Sequence, residues 1–205
     1  MTRNLYALLV GINEYADPIT PLSGCVNDIN AVEEYLKERV SQEEGEEGYQ
    51  VHLRKLLNQD ATRQAIIDGF RQHLCQAGSD DVVLFYYSGH GSQAKTPKEF
   101  WHLEPDRLEE TLVCYDSRSE GGWGFADKEL AYLIGEVSKK DPHISIILDC
   151  CHSGSGTRNP LQETGMRRFC TDERERPLDS YIFSPDELEP LSAANKPTDN
   201  PGNNP

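Results

Sequence analysis

Two stretches of this 205-residue chain end an apolar run in reactive side chains. Residues 144–148 (ISIIL) carry four large aliphatics and give way to Asp149, Cys150, Cys151, His152, Ser153 and Gly154. Residues 82–87 (VVLFYY) give way to Ser88, Gly89, His90 and Gly91. A short apolar run without alternation reads as a parallel strand buried on both faces. Side chains directly after such a strand sit at its carboxyl end, where open α/β sheets place ligands. If the two strands are neighbours, their tips lie about 5 Å apart, and His90 can face Cys151. A Cys–His pair is the smallest set of groups that performs nucleophilic acyl transfer: the thiolate attacks a carbonyl and the imidazolium protonates the leaving group. The glycines and serine around the pair leave room for a substrate backbone and for inward-pointing N–H groups. A single cysteine or histidine at a strand end is usually structural, so the weight rests on the two tips occurring together.

The elements that must position them alternate along the chain. Residues 5–12 read as a buried strand. Ser23 or Gly24 opens a helix to about Val40, with Val26, Ile29, Leu36 and Val40 on one face and Cys25 and Asp28 in the first turn. A carboxylate in a first turn also suits the positive end of the helix dipole. Residues 51–57 read as a second strand, and Thr62 caps a helix to about Gln76 with Ile66, Phe70 and Leu74 inward. Residues 92–110 read as polar and irregular, 111–115 as a short edge strand and 127–138 as a helix leading into ISIIL. Strand–helix alternation of this kind predicts a parallel, right-handed α/β sheet. Beyond Gly156 the character changes, and seven of the chain's 12 prolines lie between Pro160 and Pro205. The expected division is a catalytic domain over 1–156, a processing or linker segment over 157–191 and a disordered tail over 192–205. A sheet that stops at its catalytic strand is unfinished, so either the chain is part of a longer product or another subunit covers that edge.

A formal charge of −15 argues against nucleic acid or an anionic membrane as partner and is compatible with cationic substrates. Six cysteines in no disulfide-framework spacing read as reduced thiols and a cytoplasmic setting. The N-terminal apolar run, broken by Gly11 and Asn13, is a first strand rather than a signal peptide. No run approaches the roughly 20 apolar residues of a membrane span.

YYSGHGSQ (residues 86–93) and LDCCHSG (148–154) resemble the two catalytic blocks of the caspase-like cysteine peptidases of clan CD, family C14, closest to the metacaspases and bacterial orthocaspases. LSGCVNDI (22–29) is similar to a third block and YALLVGIN to the first strand. The resemblance covers about residues 5–156. It implies a caspase-like (caspase-hemoglobinase) three-layer fold with a mostly parallel central sheet, whose final, small-subunit-like strands are absent from this chain. Position by position, it makes His90 and Cys151 the dyad, the nucleophile being the cysteine directly before HSG. Cys150, the next residue along, points to the opposite side if the strand continues. The Gly91 and Cys151 N–H groups would hold the oxyanion.

The same resemblance implies an S1 pocket at Cys25, Asp28, Ser88 and Asp149. Two carboxylates there would accept a guanidinium or ammonium, so the implied cleavage follows Arg or Lys. An Arg/Lys peptidase would also find cleavage sites in its own chain at Arg168, Arg174 and Arg176. Many metacaspases use calcium; here Asp127 is followed by Lys128, and Arg158 stands where an acidic residue is expected. Two cations among hard oxygen ligands argue against calcium, and no metal or other cofactor is expected. Three other classes compete: an inactive or incomplete caspase-shaped scaffold that needs a downstream segment or partner, a zinc site at His90, Cys150, Cys151 and His152, and a nucleotide-binding domain. The zinc set lacks Cys-x₂-Cys spacing, and no phosphate loop follows a strand.

Overall fold

The computed structural model describes residues 3–16, 18–40, 48–150 and 169–187. In chain order its elements are β1 (Arg3–Gly11), α1 (Cys25–Tyr35, continued by a π turn over Leu36–Val40), β2 (Tyr49–Leu57), α2 (Arg63–Gln72), β3 (Val82–Ser88), β4 (Gly91–Lys95), β5 (Leu108–Leu112), β6 (Phe125–Ala126), α3 (Asp127–Ser138), β7 (His143–Asp149) and β8 (Phe169–Glu175). Four strands form a parallel sheet in the order β2-β1-β3-β7.

The absence of alternation in β1 follows from cover on both faces. Leu8, Val10 and Ile12 pack with Ile66, Phe70 and Leu74 of the α2 region and with Leu133 and Val137 of α3. Leu5, Ala7 and Leu9 pack on the other side with Ile29 and Leu36. The result is the expected α/β/α layering, and each fully buried aliphatic contributes about 1.5–3 kcal/mol to it. Thr62 caps α2 through its hydroxyl, which accepts from the Ala65 N–H at 3.2 Å. At the tip of β1, a Cβ on Gly11 would lie 2.6 Å from Ile29 Cγ1 and 3.0 Å from the Cys25 carbonyl. Only glycine lets the first turn of α1 come this close to the sheet.

Three parts differ from the sequence expectation. Residues 92–110 hold a strand pair, β4 antiparallel to β5, in a second sheet ordered β6-β5-β4-β8. The expected edge strand at 111–115 is displaced to Leu108–Leu112 and lies inside this sheet. GSQAK and LEETL have no apolar alternation because their polar groups find partners: Glu109 is buried against Tyr181, and Thr111 bonds the Ser92 carbonyl. Second, β7 is the outermost described strand of the parallel sheet, and Ile147 and Leu148 are 44% and 38% exposed where burial on both faces was expected. No described strand pairs with the outer side of β7.

Third, part of the segment expected as a linker is structured. β8 runs parallel to β4, with Gly91 opposite Phe169 and Ser92 opposite Cys170. Asp172 accepts from Arg118 at 3.0 Å and Arg174 at 2.9 Å, and Arg174 also reaches the Ser117 carbonyl at 2.6 Å. Arg176 is buried and donates to Glu129 at 2.8 Å, and Arg63 donates to the same carboxylate. Tyr181 and Phe183 then bury their rings against Phe100. The charges in FCTDERE that made a strand illegible are the groups that tie it down. Arg174 and Arg176 are thus built into the fold rather than carried on a loose linker, so peptide cleavage after either requires β8 to be peeled away.

Candidate active site

The carboxyl ends of the parallel strands converge because their register is shared. Gly11 stands opposite Ser88, and Ser88 opposite Asp149. The chain turns out of β3 through Ser88 and Gly89, whose N–H donates to the Asp149 carbonyl at 3.3 Å. His90 follows, only 2% exposed, and β4 begins immediately after it. This turn explains how a histidine beyond a strand end is aimed back over the sheet tips.

His90 is held on several sides. Its Nε2 lies 2.8 Å from the Thr20 carbonyl in the β1–α1 loop. A carbonyl only accepts, so Nε2 carries the proton and Nδ1 is the basic nitrogen of the neutral ring. The backbone carbonyl of His90 accepts from the Val113 N–H at 2.9 Å. The ring of Tyr15 sits beside the imidazole, centroids 5.2 Å apart.

The four residues expected to line a pocket fall at the same tips. Ser88 Oγ lies 3.2 Å from Asp28 Oδ2 and 3.1 Å from Asp149 Oδ2, and Cys25 is fully buried in the first turn of α1. Gly24, with φ 106°, starts that helix, and the Asp28 N–H donates to its carbonyl at 2.8 Å. Two carboxylates reaching one hydroxyl concentrate negative charge at a single point, and a planar guanidinium matches such a pair. Cys150, directly after β7, is half-buried and packs against the core on the α2–α3 side. Cys151, His152, Arg158 and Arg168 lie outside the described residues. Tyr15 and Thr20 escaped the sequence reading; the signal for them was their loop, which runs between the first strand and the helix bearing Cys25 and Asp28.

Among the described residues no group of three or more His, Cys, Asp and Glu side chains is placed to hold a metal ion. At the position where the resemblance implies calcium, Lys128 Nζ lies 2.7 Å from Glu104, 3.3 Å from Asp127 and 3.7 Å from Glu109. Burial pulls the pKa of this ammonium down, and the surrounding carboxylates, Asp127 foremost, outweigh that and raise it. Glu109 is pushed up to about 7 by its own burial, against the lowering influence of the Tyr181 hydroxyl and the Arg176 and Lys128 charges. An ammonium already stands among these oxygens where a divalent cation would sit, so the described residues at this position do not fit calcium.

The sequence profile of the metacaspase, peptidase C14 domain matches residues 6–160. The chain is 30% identical over 157 residues to Metacaspase-1 of Schizosaccharomyces pombe, covering 76% of this chain and 35% of that protein. It is 29% identical over 154 residues to Metacaspase III c of Phaeodactylum tricornutum, covering 73% of this chain and 42% of that one. The crystal structure of a protein from Geobacter sulfurreducens superposes with a TM-score of 0.55 at 25% identity, over 74% of this chain and 52% of that one. The chain therefore spans between a third and a half of the curated relatives it matches. With a profile match over most of its length and a parallel sheet whose tips gather a buried histidine and two carboxylates, this chain belongs to the metacaspase, peptidase C14 domain family.

Proposed function

We propose that this chain is the catalytic part of a cysteine endopeptidase that cuts after Arg or Lys. The observation that carries the reading is the convergence of Asp28 and Asp149 on the Ser88 hydroxyl, beside His90. In the proposed cycle the Cys151 thiol gives its proton to Nδ1 of His90, the nitrogen left basic once Nε2 donates to Thr20. The thiolate adds to the scissile carbonyl, and the N–H groups of Gly91 and Cys151 bind the oxyanion. The imidazolium returns its proton to the departing amine, leaving a thioester. Water, deprotonated by the same nitrogen, then releases the acid and regenerates the thiol.

Paired fluorogenic peptides with Arg, Lys or Asp at P1 test the reading. Arg and Lys peptides are expected to be cut and the Asp peptide left intact. Asp28→Asn or Asp149→Asn is expected to raise KM for Arg peptides steeply, by about 2–5 kcal/mol in kcat/KM, because a bound cation loses a charged acceptor. A wild-type preference for Asp would sink the pocket.

The reading extends to the metal. Because Lys128 supplies the cation among Glu104, Asp127 and Glu109, activity is expected to change less than about twofold on adding EDTA or millimolar calcium. A tenfold calcium stimulation of the same Arg peptide would overturn this part.

The incomplete-scaffold reading has its own support in the exposed Ile147 and Leu148 of β7. We place a small-subunit-like segment or subunit along that strand, where added pairing would bury both side chains. Self-processing rests on Arg168, since Arg174 and Arg176 are engaged in ion pairs of the second sheet.

A further inference from the structure

The turn that presents His90 is enclosed by two phenols from separate elements. The His90 N–H donates to Tyr15 Oη at 2.8 Å. Tyr87 Oη, in β3, lies 2.8 Å from the His90 carbonyl and 2.9 Å from that of Val113, and donates to them. Each hydroxyl has one proton, and that of Tyr87 is directed at carbonyls. Burial raises both phenol pKa values, so the pair stays neutral through the physiological range. The two hydrogen bonds hold the peptides on either side of the His90 Cα, the N–H through Tyr15 and the carbonyl through Tyr87.

Gly89 shows how tightly this clasp is drawn. A Cβ there would lie 2.5 Å from Tyr87 Oη and 2.8 Å from Tyr15 Oη, so any side chain would wedge the phenols apart. The Tyr15 ring meanwhile bounds one side of the imidazole. Its loop also supplies Thr20 to Nε2 and is tied to the far side of the turn by Ala16 N–H to the Tyr115 carbonyl at 3.2 Å. One loop thus restrains both the backbone and the ring of the same histidine.

We propose that Tyr15 is a positioning residue for His90, fixing through its hydroxyl the Gly89–His90 peptide that presents the imidazole. The proposal rests on His90 being the acid–base group of the reaction, where a displacement of about 1 Å can cost on the order of a hundredfold in rate. Tyr15→Phe keeps the ring and removes only the acceptor of the His90 N–H. It is expected to lower kcat about tenfold for an Arg peptide with KM within about twofold, the loss of one buried hydrogen bond expressed in positioning. It is also expected to displace the NMR titration midpoint of the His90 imidazole, identified by its loss in His90→Gln. Tyr87→Phe, which opens the other half of the clasp, should move both readouts in the same direction. The titration needs no turnover, so it decides the clasp even if the wild type cuts no peptide, a result that would fail the peptidase reading alone. An unchanged titration midpoint in both folded variants, or a displaced midpoint with unchanged kcat in an active enzyme, would overturn the proposal.

Discussion

Cys151→Ala is expected to remove peptide cleavage, lowering kcat by at least about 10⁴-fold, and His90→Ala to do nearly the same. The argument is chemical: without the thiol no thioester forms, and without the imidazole neither the thiol is deprotonated nor the amine protonated. The double variant should be no worse than either single one, since residues that act as a unit do not lose their effects additively. Cys150→Ala supplies the contrast. Its side chain packs into the core on the α2–α3 side, so it should keep most activity and lose a modest amount of stability. Turnover of Arg peptides and intact-mass analysis after incubation read these variants together. Self-cleavage at Arg168 should disappear with Cys151→Ala and persist with Cys150→Ala. Equal loss in the two cysteine variants, with folding intact by circular dichroism, would leave the nucleophile unassigned.

Glu129→Ala is expected to destabilise the fold by about 3–5 kcal/mol, which for a domain of this size is a large part of its total stability. The Glu129 side chain is fully buried and is the shared acceptor of Arg63 and Arg176. Its second oxygen also takes the Ala126 N–H at 3.0 Å, at the start of α3. Removing the carboxylate strands the Arg176 guanidinium, whose side chain is 1% exposed, without its closest anion. The Tyr181 ring stacked 3.8 Å from that guanidinium contributes far less than a charge. Because Arg176 follows β8 directly, loss of this anchor should loosen the strand that lies beside Gly91. Urea unfolding measures the stability change, and hydrogen exchange of the Cys170–Arg174 amides measures the loosening. A Glu129→Ala protein within about 1 kcal/mol of wild type would mean that water, and not Glu129, solvates Arg176.

Apolar patterning made β1, β3 and β7 legible, and for β1 and β3 the reason is cover on both faces, which needs side chains of one kind throughout. The same patterning made α1, α2 and α3 legible through their inward faces. Of the residues gathered at the tips, Ser88, His90 and Asp149 stood out because polar groups directly after apolar runs have few other reasons to be there, and Asp28 through the resemblance of its helix start. Strands β4 and β8 were opaque for the opposite reason. GSQAK and FCTDERE bury Ser92 and Asp172, whose shared partner Arg118 lies far away in the chain. Tyr15 and Thr20 looked like ordinary loop residues until the loop was laid over His90. Composition and spacing therefore determined the parallel strands, the helices and which side chains stand at their ends, since these follow from local periodicity and burial. Only the tertiary structure decided that β3 lies between β1 and β7 and that β8 returns beside β4. Strand neighbours and ion-pair partners are chosen by contacts between distant residues, and no local pattern records them.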